Sequence, residues 1–309
     1  MPSPISPADI ERAEARIRPY IRATPVMDLS PNVMLKLEFL QHGGSFKPRG
    51  AFNNILSREV PKVGVAAASG GNHGLAVALA AKLRGVPAAI FVPEISSPAK
   101  IAAIRATGAD LRVGGARYND ALDACNRYVT ETGALSIHAF DTPETIAGQG
   151  TLALEWDTQS DAGLDTVLVA VGGGGLIAGM AAWWRGSVKV VVVEPAGSRA
   201  LHAAMKAGKP VDVDVNSIAA DSLGARRAGQ LVYEIANAHV DHVLLVEDAA
   251  IADAQKALWN EFRIATEPGG AAAMAALISG TYKPAPDERV GVLLCGANVE
   301  LGKLAGVVG

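Results

Sequence analysis

Lys47 lies in the run Gly43-Gly44-Ser45-Phe46-Lys47-Pro48-Arg49-Gly50, which sets an amine between an aromatic ring and a proline. Proline is favoured at the first position of a helix, so the lysine stands at a helix start in apolar company. Desolvation there lowers the ammonium pKa and leaves a nucleophilic amine, as Schiff-base chemistry requires. A solvated loop lysine is the bland alternative. The glycine pair before Lys47 and Arg49-Gly50 after it weaken that alternative without removing it.

Two other segments read as anion cradles. Gly172, Gly173, Gly174 and Gly175 follow a strand run ending at Val171 and open the helical run Leu176–Trp184. Glycine lets backbone N–H groups approach a ligand, and a helix start adds unpaired donors with partial positive charge, a pairing suited to phosphate. A tight turn would need one such glycine or two, not four. The second segment, Ala68-Ser69-Gly70-Gly71-Asn72-His73-Gly74, also joins a strand run to a helix, and fits a carboxylate as well as a phosphate. Taken alone, Ser69 and Asn72 read as turn and capping residues, and His73 as a packed histidine.

The glycine run also fits a different enzyme class. Gly173, Gly175 and Ala178 match the loose G-x-G-x-x-A dinucleotide pattern. Glu194 ends the next strand about 20 residues on, where a ribose-binding acid would sit. The glycines by themselves do not choose between a nicotinamide and another phosphate-bearing cofactor.

The elements that must hold these groups are strands alternating with helices. Strand runs are expected at Val33–Glu38, Val63–Ala67, Ala88–Val92, Ala109–Val113, Thr166–Val171, Val188–Val193, His242–Val246 and Val290–Leu294. Helix-length amphipathic runs separate them, which predicts βαβ units and parallel sheets covered on both faces. The run Val188–Val193 does not alternate polar with apolar, as a doubly buried strand should not. The chain has 309 residues, 50% hydrophobic and 19% charged, with a net charge of −3. That is a globular balance, with no basic stripe to argue for nucleic acid or an anionic membrane. Two cysteines, Cys125 and Cys295, make no disulfide framework and suit a reducing compartment. The N-terminus lacks the pattern of a signal peptide, and no apolar stretch reaches the roughly 18 residues needed to cross a bilayer. A soluble, cytoplasmic protein is the expectation.

Six segments in order resemble the serine/threonine dehydratase family of fold-type II pyridoxal-phosphate enzymes. They are Ser45-Phe46-Lys47-Pro48-Arg49-Gly50-Ala51, Ser69–His73, Ala147-Gly148-Gln149-Gly150-Thr151, Gly172–Gly175, Glu267-Pro268-Gly269-Gly270-Ala271 and Cys295-Gly296-Ala297-Asn298. The resemblance runs from about Thr24 to Glu300, nearly the whole chain. It implies two α/β domains of the tryptophan synthase β type, three-layered and rich in parallel sheet, with pyridoxal 5'-phosphate in the cleft between them. The large domain would comprise residues 1–51 and 141–309, and the small inserted one residues 52–140.

By that resemblance Lys47 carries the cofactor as a Schiff base and later takes the α-proton. Phe46 packs on the ring, Asn72 meets the phenolic oxygen, and Gly172, Gly173, Gly174, Gly175 and Leu176 hold the phosphate. Ser69, Gly70, Gly71, Asn72 and His73 hold the substrate. The ring nitrogen meets Cys295, where the family usually has serine; a thiol is a weaker partner but still uncharged. The implied reaction is dehydration and deamination of a small hydroxy-amino acid such as L-threonine or L-serine to a keto acid and ammonia.

Departures from the family narrow that reading. Serine racemases have a second serine where this chain has Gly70, so racemisation is disfavoured. Their divalent-metal site begins at the position of Glu194, but an acid of that pattern is Ala200 here. No metal is therefore expected, while a monovalent cation held by carbonyls stays compatible. A hydroxyaspartate substrate would want an extra cation, for which Arg226 and Arg227 are nearby in sequence order. The chain ends soon after Glu300, without the regulatory domain of biosynthetic threonine dehydratases, so a catabolic or unregulated role is expected. A homodimer is the family's common state. Outside the lyases, two readings stay open: the nicotinamide dehydrogenase, and a non-catalytic amino-acid sensor, which the altered Cys295 contact favours and the intact Lys47 opposes.

Overall fold

Ten strands fall into two sheets in the computed structural model, which describes residues 4–309. They are β1 (Val26–Ser30), β2 (Val33–Lys36), β3 (Val65–Ala68), β4 (Ala88–Val92), β5 (Asp110–Val113), β6 (Leu135–Ser136), β7 (Thr166–Ala170), β8 (Lys189–Pro195), β9 (His242–Val246) and β10 (Val290–Leu293). The larger sheet has the order β1-β2-β10-β7-β8-β9, and the smaller β5-β4-β3-β6. Among the strands of the described residues, only the β1–β2 hairpin is antiparallel; every other strand pairing is parallel. Parallel neighbours need crossovers, and helices supply them, as the alternating pattern predicts. Each of the eight predicted strand runs overlaps an observed strand. The two additions are β1, whose central Asp28 breaks the apolar pattern of an edge strand, and β6, which is only two residues long.

The two central strands of the smaller sheet, β3 and β4, are buried on both faces. Val65 and Ala67 of β3 pack with Ile90 and Val92 of β4 in one apolar cluster. Ala66, Ala68, Ala89 and Phe91 point the other way into a second cluster, against the helix Tyr118–Thr132. This is the period-2 alternation of a strand with a core on each side, which is why its sequence does not alternate polar with apolar. The larger sheet carries the main core, in which β7 and β8 contribute Val167, Leu168, Val169 and Val190–Val193, all unexposed.

One charged cluster is enclosed beside these cores. Arg49, fully buried, donates to Glu38 at 2.7 and 3.0 Å and to Glu155 at 2.9 Å. Lys36 donates to the same Glu155 at 2.6 Å and to the Thr24 carbonyl at 2.7 Å. Paired and hydrogen-bonded in this way, the charges offset their own desolvation. The cluster fastens the start of the helix Lys47–Ser57 to the end of β2 and to the helix Pro143–Gln159.

Candidate active site

Four of the segments singled out in the sequence leave the carboxyl ends of parallel strands, where open α/β sheets bind ligands. After β2 comes the Lys47 segment, after β3 the Ser69–Gly71 loop, after β7 the glycine loop, and after β10 the segment Cys295–Asn298. Ser45 pairs with Gly296 in an isolated antiparallel bridge. Phe46 N–H donates to the Cys295 carbonyl at 3.2 Å, and Ala297 N–H to the Gly44 carbonyl at 2.9 Å. The chain therefore arrives at Lys47 strapped to the Cys295 segment.

Lys47 is the first residue of its helix, with Pro48 next, as the sequence implied. Its Nζ donates to the Ala139 carbonyl at 3.0 Å and lies 5.0 Å from the centre of the Phe46 ring. The residue is partly exposed, but its amine end is enclosed, and that burial pushes the ammonium down from 10.5 to about 8. Nearby Cys295 and Glu267 pull weakly the other way. A proton carrier near neutrality is the result.

Both cradles offer unspent donors. Among the described residues, the backbone N–H groups of Gly172 through Leu176 have no protein acceptor. Gly174 takes a φ of 92°, which an L side chain would strain to adopt, and it starts the helix Gly175–Trp184. A Cβ on Gly173 would overlap the Phe140 ring. In the second loop, Ser69 Oγ accepts Gly71 N–H at 3.2 Å, while the N–H groups of Gly70, Asn72 and His73 have no protein acceptor. The His73 ring is buried away from this loop, with Nε2 2.9 Å from the Ile137 carbonyl. Desolvation lowers it to about 3, so it is neutral, and what His73 offers the loop is its backbone N–H.

The Asn72 amide is held from both sides. Its Nδ2 donates to Glu267 Oε1 at 2.5 Å, and its Oδ1 accepts Asn298 Nδ2 at 2.8 Å. Cys295 is buried and a free thiol, 3.6 Å from the Gly269 carbonyl, and desolvation pushes it up to about 12. An uncharged sulfur thus sits beside Lys47.

Several residues here escaped the sequence reading. Ala139-Phe140 joins Lys47 to the glycine loop, one through its carbonyl and the other through its ring. The short helix Ala220–Leu223 roofs the site: Leu223 abuts Gly172, Ser222 abuts Gly269, and the Asp221 carbonyl lies 3.7 Å from where a Gly71 Cβ would be. Lys100, on the helix Pro98–Arg105, crosses to Asp221 and lies 3.9 Å from Glu267. No local pattern announces these, because each partner comes from a distant part of the chain.

Other candidates are placed elsewhere. Both oxygens of Glu194 accept from the N–H groups of Leu201 and His202, at 2.9 and 2.7 Å, so it caps the helix Ala200–Ala207, buried rather than presented to a ribose. Arg226 and Arg227 are exposed and face Asp214 and Asp212 on the surface. Gly70 carries no racemase-type hydroxyl, and a Cβ there would press on Ser96 Oγ.

The family model described as pyridoxal-phosphate dependent enzyme matches residues 17–296. The chain belongs to that family. The phenylserine dehydratase of Ralstonia pickettii is 37% identical over 303 residues, covering 94% of this chain and 92% of its own length. A catabolic L-threonine dehydratase of Staphylococcus aureus is 37% identical over 324 residues, covering 98% and 92%. Among solved structures, maize serine racemase superposes with a TM-score of 0.92 at 35% identity, over 98% of this chain and 96% of that one. The T.th. threonine deaminase gives 0.89 at 34% identity, over 96% and 99%. The fold is that of the fold-type II pyridoxal-phosphate enzymes, which leaves the nicotinamide reading without support.

The residues present suit this family's cofactor on their own terms. Five consecutive orphan amides, Gly172–Leu176, at a helix start form a site for a phosphate dianion. A desolvated amine beside an aromatic ring, Lys47 with Phe46, suits a carbonyl-bearing aromatic group. No helix among the described residues is long and apolar enough to cross a membrane.

Proposed function

We propose that this pyridoxal-phosphate enzyme removes water and ammonia from a small hydroxy-amino acid such as L-threonine or L-serine, giving a 2-keto acid. The carrying observation is the Lys47 amine, tuned toward neutrality and joined to both orphan-amide loops through Ala139-Phe140 and the Ala220–Leu223 roof. The cofactor, when bound, withdraws electrons from the substrate's α-carbon. Gly172, Gly173, Gly174, Gly175 and Leu176 would hold its phosphate by backbone N–H, Phe46 would pack on its ring, and Asn72 and Cys295 would serve its phenolic oxygen and ring nitrogen. Ser69, Gly70, Gly71, Asn72 and the His73 backbone take the substrate carboxylate.

Lys47 then accepts the α-proton, for which an amine near neutrality is well matched. The uncharged Cys295 thiol leaves the ring nitrogen without a proton donor of any strength, which favours elimination over transamination. Names of similar proteins span serine, threonine and phenylserine dehydratases, so the reaction class is better supported than the β-substituent. Racemase activity finds no hydroxyl on Gly70, where an added Cβ would already press on Ser96 Oγ. The surface pairing of Arg226 and Arg227 removes the cations a hydroxyaspartate would need. The same reading takes residues 52–140 as a small inserted domain, within which all four strands of the smaller sheet fall, and the rest as the large one. It also takes a cytoplasmic homodimer, the two unpaired, buried cysteines supporting the compartment.

Loading the purified protein with pyridoxal phosphate and supplying L-threonine, L-serine or a hydroxyaspartate tests this. Keto acid and ammonia in equal amounts, lost in Lys47→Ala, are expected. Cofactor binding with neither product from any of the three would move the sensor reading to the front.

A further inference from the structure

Glu267 is a buried carboxyl with no part in the chemistry above. It is 3% exposed and sits at the N-cap of the helix Pro268–Ile278, yet its side chain caps nothing. Capping is the ordinary use of an acid at that place. Here Oε1 reaches across 195 residues of sequence to the Asn72 amide instead. Oε2 is enclosed without a hydrogen-bond partner, and the nearest ammonium, Lys100, is held by Asp221. Burial raises the carboxyl to about 7, a cost the fold would shed if the group served packing alone. Space is cleared for it as well: any side chain on Gly296, next to Cys295, would overlap Oε1.

The consequence falls on Asn72. A side-chain amide has a donating and an accepting end that can be exchanged by a half-turn. Glu267 accepts at one end, and Asn298, itself anchored to the Gly43 carbonyl at 2.7 Å, donates at the other. Only one of the two orientations satisfies both, and it leaves a single Asn72 N–H uncommitted. We propose that Glu267 is a positioning residue, which with Asn298 locks the Asn72 amide so that its remaining N–H faces the cofactor cleft. This rests on the proposed contact between Asn72 and the cofactor.

The test compares the visible absorption spectrum, kcat and KM of cofactor-loaded Asn72→Ala, Glu267→Ala, the double variant and Glu267→Gln, which keeps an acceptor oxygen. Both single alanine variants should shift the cofactor band in the same direction and lower kcat about tenfold with KM little changed, the scale of one hydrogen bond. The double variant should be no worse than either, since both remove one contact. Glu267→Gln should restore the wild-type band. A shifted Asn72→Ala with an unshifted Glu267→Ala overturns the positioning role alone. Asn72→Ala with an unchanged band and kcat overturns it together with the contact beneath it. Where Glu267→Ala does not fold, Glu267→Met keeps the volume without the acceptor, and an unmoved band there overturns the proposal equally.

Discussion

Replacing Lys47 with methionine should make the cofactor-free protein more stable at neutral pH. Burial lowers the Lys47 ammonium from 10.5 to about 8. At about 1.4 kcal/mol per pKa unit, that shift costs the folded state roughly 3 kcal/mol while the amine is protonated. Methionine has similar length and no charge to desolvate. It also forfeits the 3.0 Å bond to the Ala139 carbonyl, worth about 1 kcal/mol. The net expectation is a gain of about 2 kcal/mol near pH 7. Because the folded pKa lies below the unfolded one, the wild-type penalty is full below about 8 and vanishes as pH rises from about 8 to 10.5. The methionine advantage should therefore shrink across that window and turn into a deficit of about 1 kcal/mol above it, where only the lost bond remains. Denaturant unfolding of both cofactor-stripped proteins over a pH series reads this directly. No advantage at neutral pH, or one that does not change with pH, would refute the claim that this lysine is held against its own desolvation.

Gly173→Val would overlap the Phe140 ring and should weaken cofactor affinity about tenfold or more, measured by equilibrium dialysis; unchanged affinity would detach this loop from the cofactor. Arg49→Met leaves Glu38 buried without its cation, while Glu155 keeps Lys36, and should cost roughly 3–5 kcal/mol in denaturant unfolding; a loss below about 1 kcal/mol would mean the cluster is not desolvated. Gly70→Ser should lower lyase turnover without releasing the D-enantiomer, because Ser96 Oγ fills the space; chiral chromatography that finds racemised serine would contradict this. Arg227→Ala, which removes only an exposed pair with Asp212, should leave turnover unchanged for every substrate, and a selective loss with hydroxyaspartate would restore the cation role set aside above.

The strand-helix alternation was legible because it depends on local periodicity and on glycine-rich turns at fixed offsets from strand ends. Lys47 and the two loops were legible for the same reason, each announcing itself within a few residues, whereas Cys295 was reached only through the family resemblance. The strand β1 was not, since Asp28 at a sheet edge breaks the pattern at no cost to burial. Glu267 is the instructive miss. In sequence it reads as an acid before Pro268, a helix-start signal, and only the close approach of Gly296 turns it toward Asn72. Arg226 and Arg227 err in the other direction, near the site in order but paired on the surface. Pairings such as Lys100 with Asp221, or Lys47 with the Ala139 carbonyl, join segments about a hundred residues apart and carry no local signature.

The central claim is that Lys47 is the residue bearing the cofactor. Borohydride reduction of the pyridoxal-phosphate-loaded protein, followed by peptide mass mapping, tests it most directly. One reduced pyridoxyl adduct is expected, on the peptide containing Lys47, and none on Lys36 or Lys100. An adduct on another lysine, or a loaded protein that yields none, would contradict it.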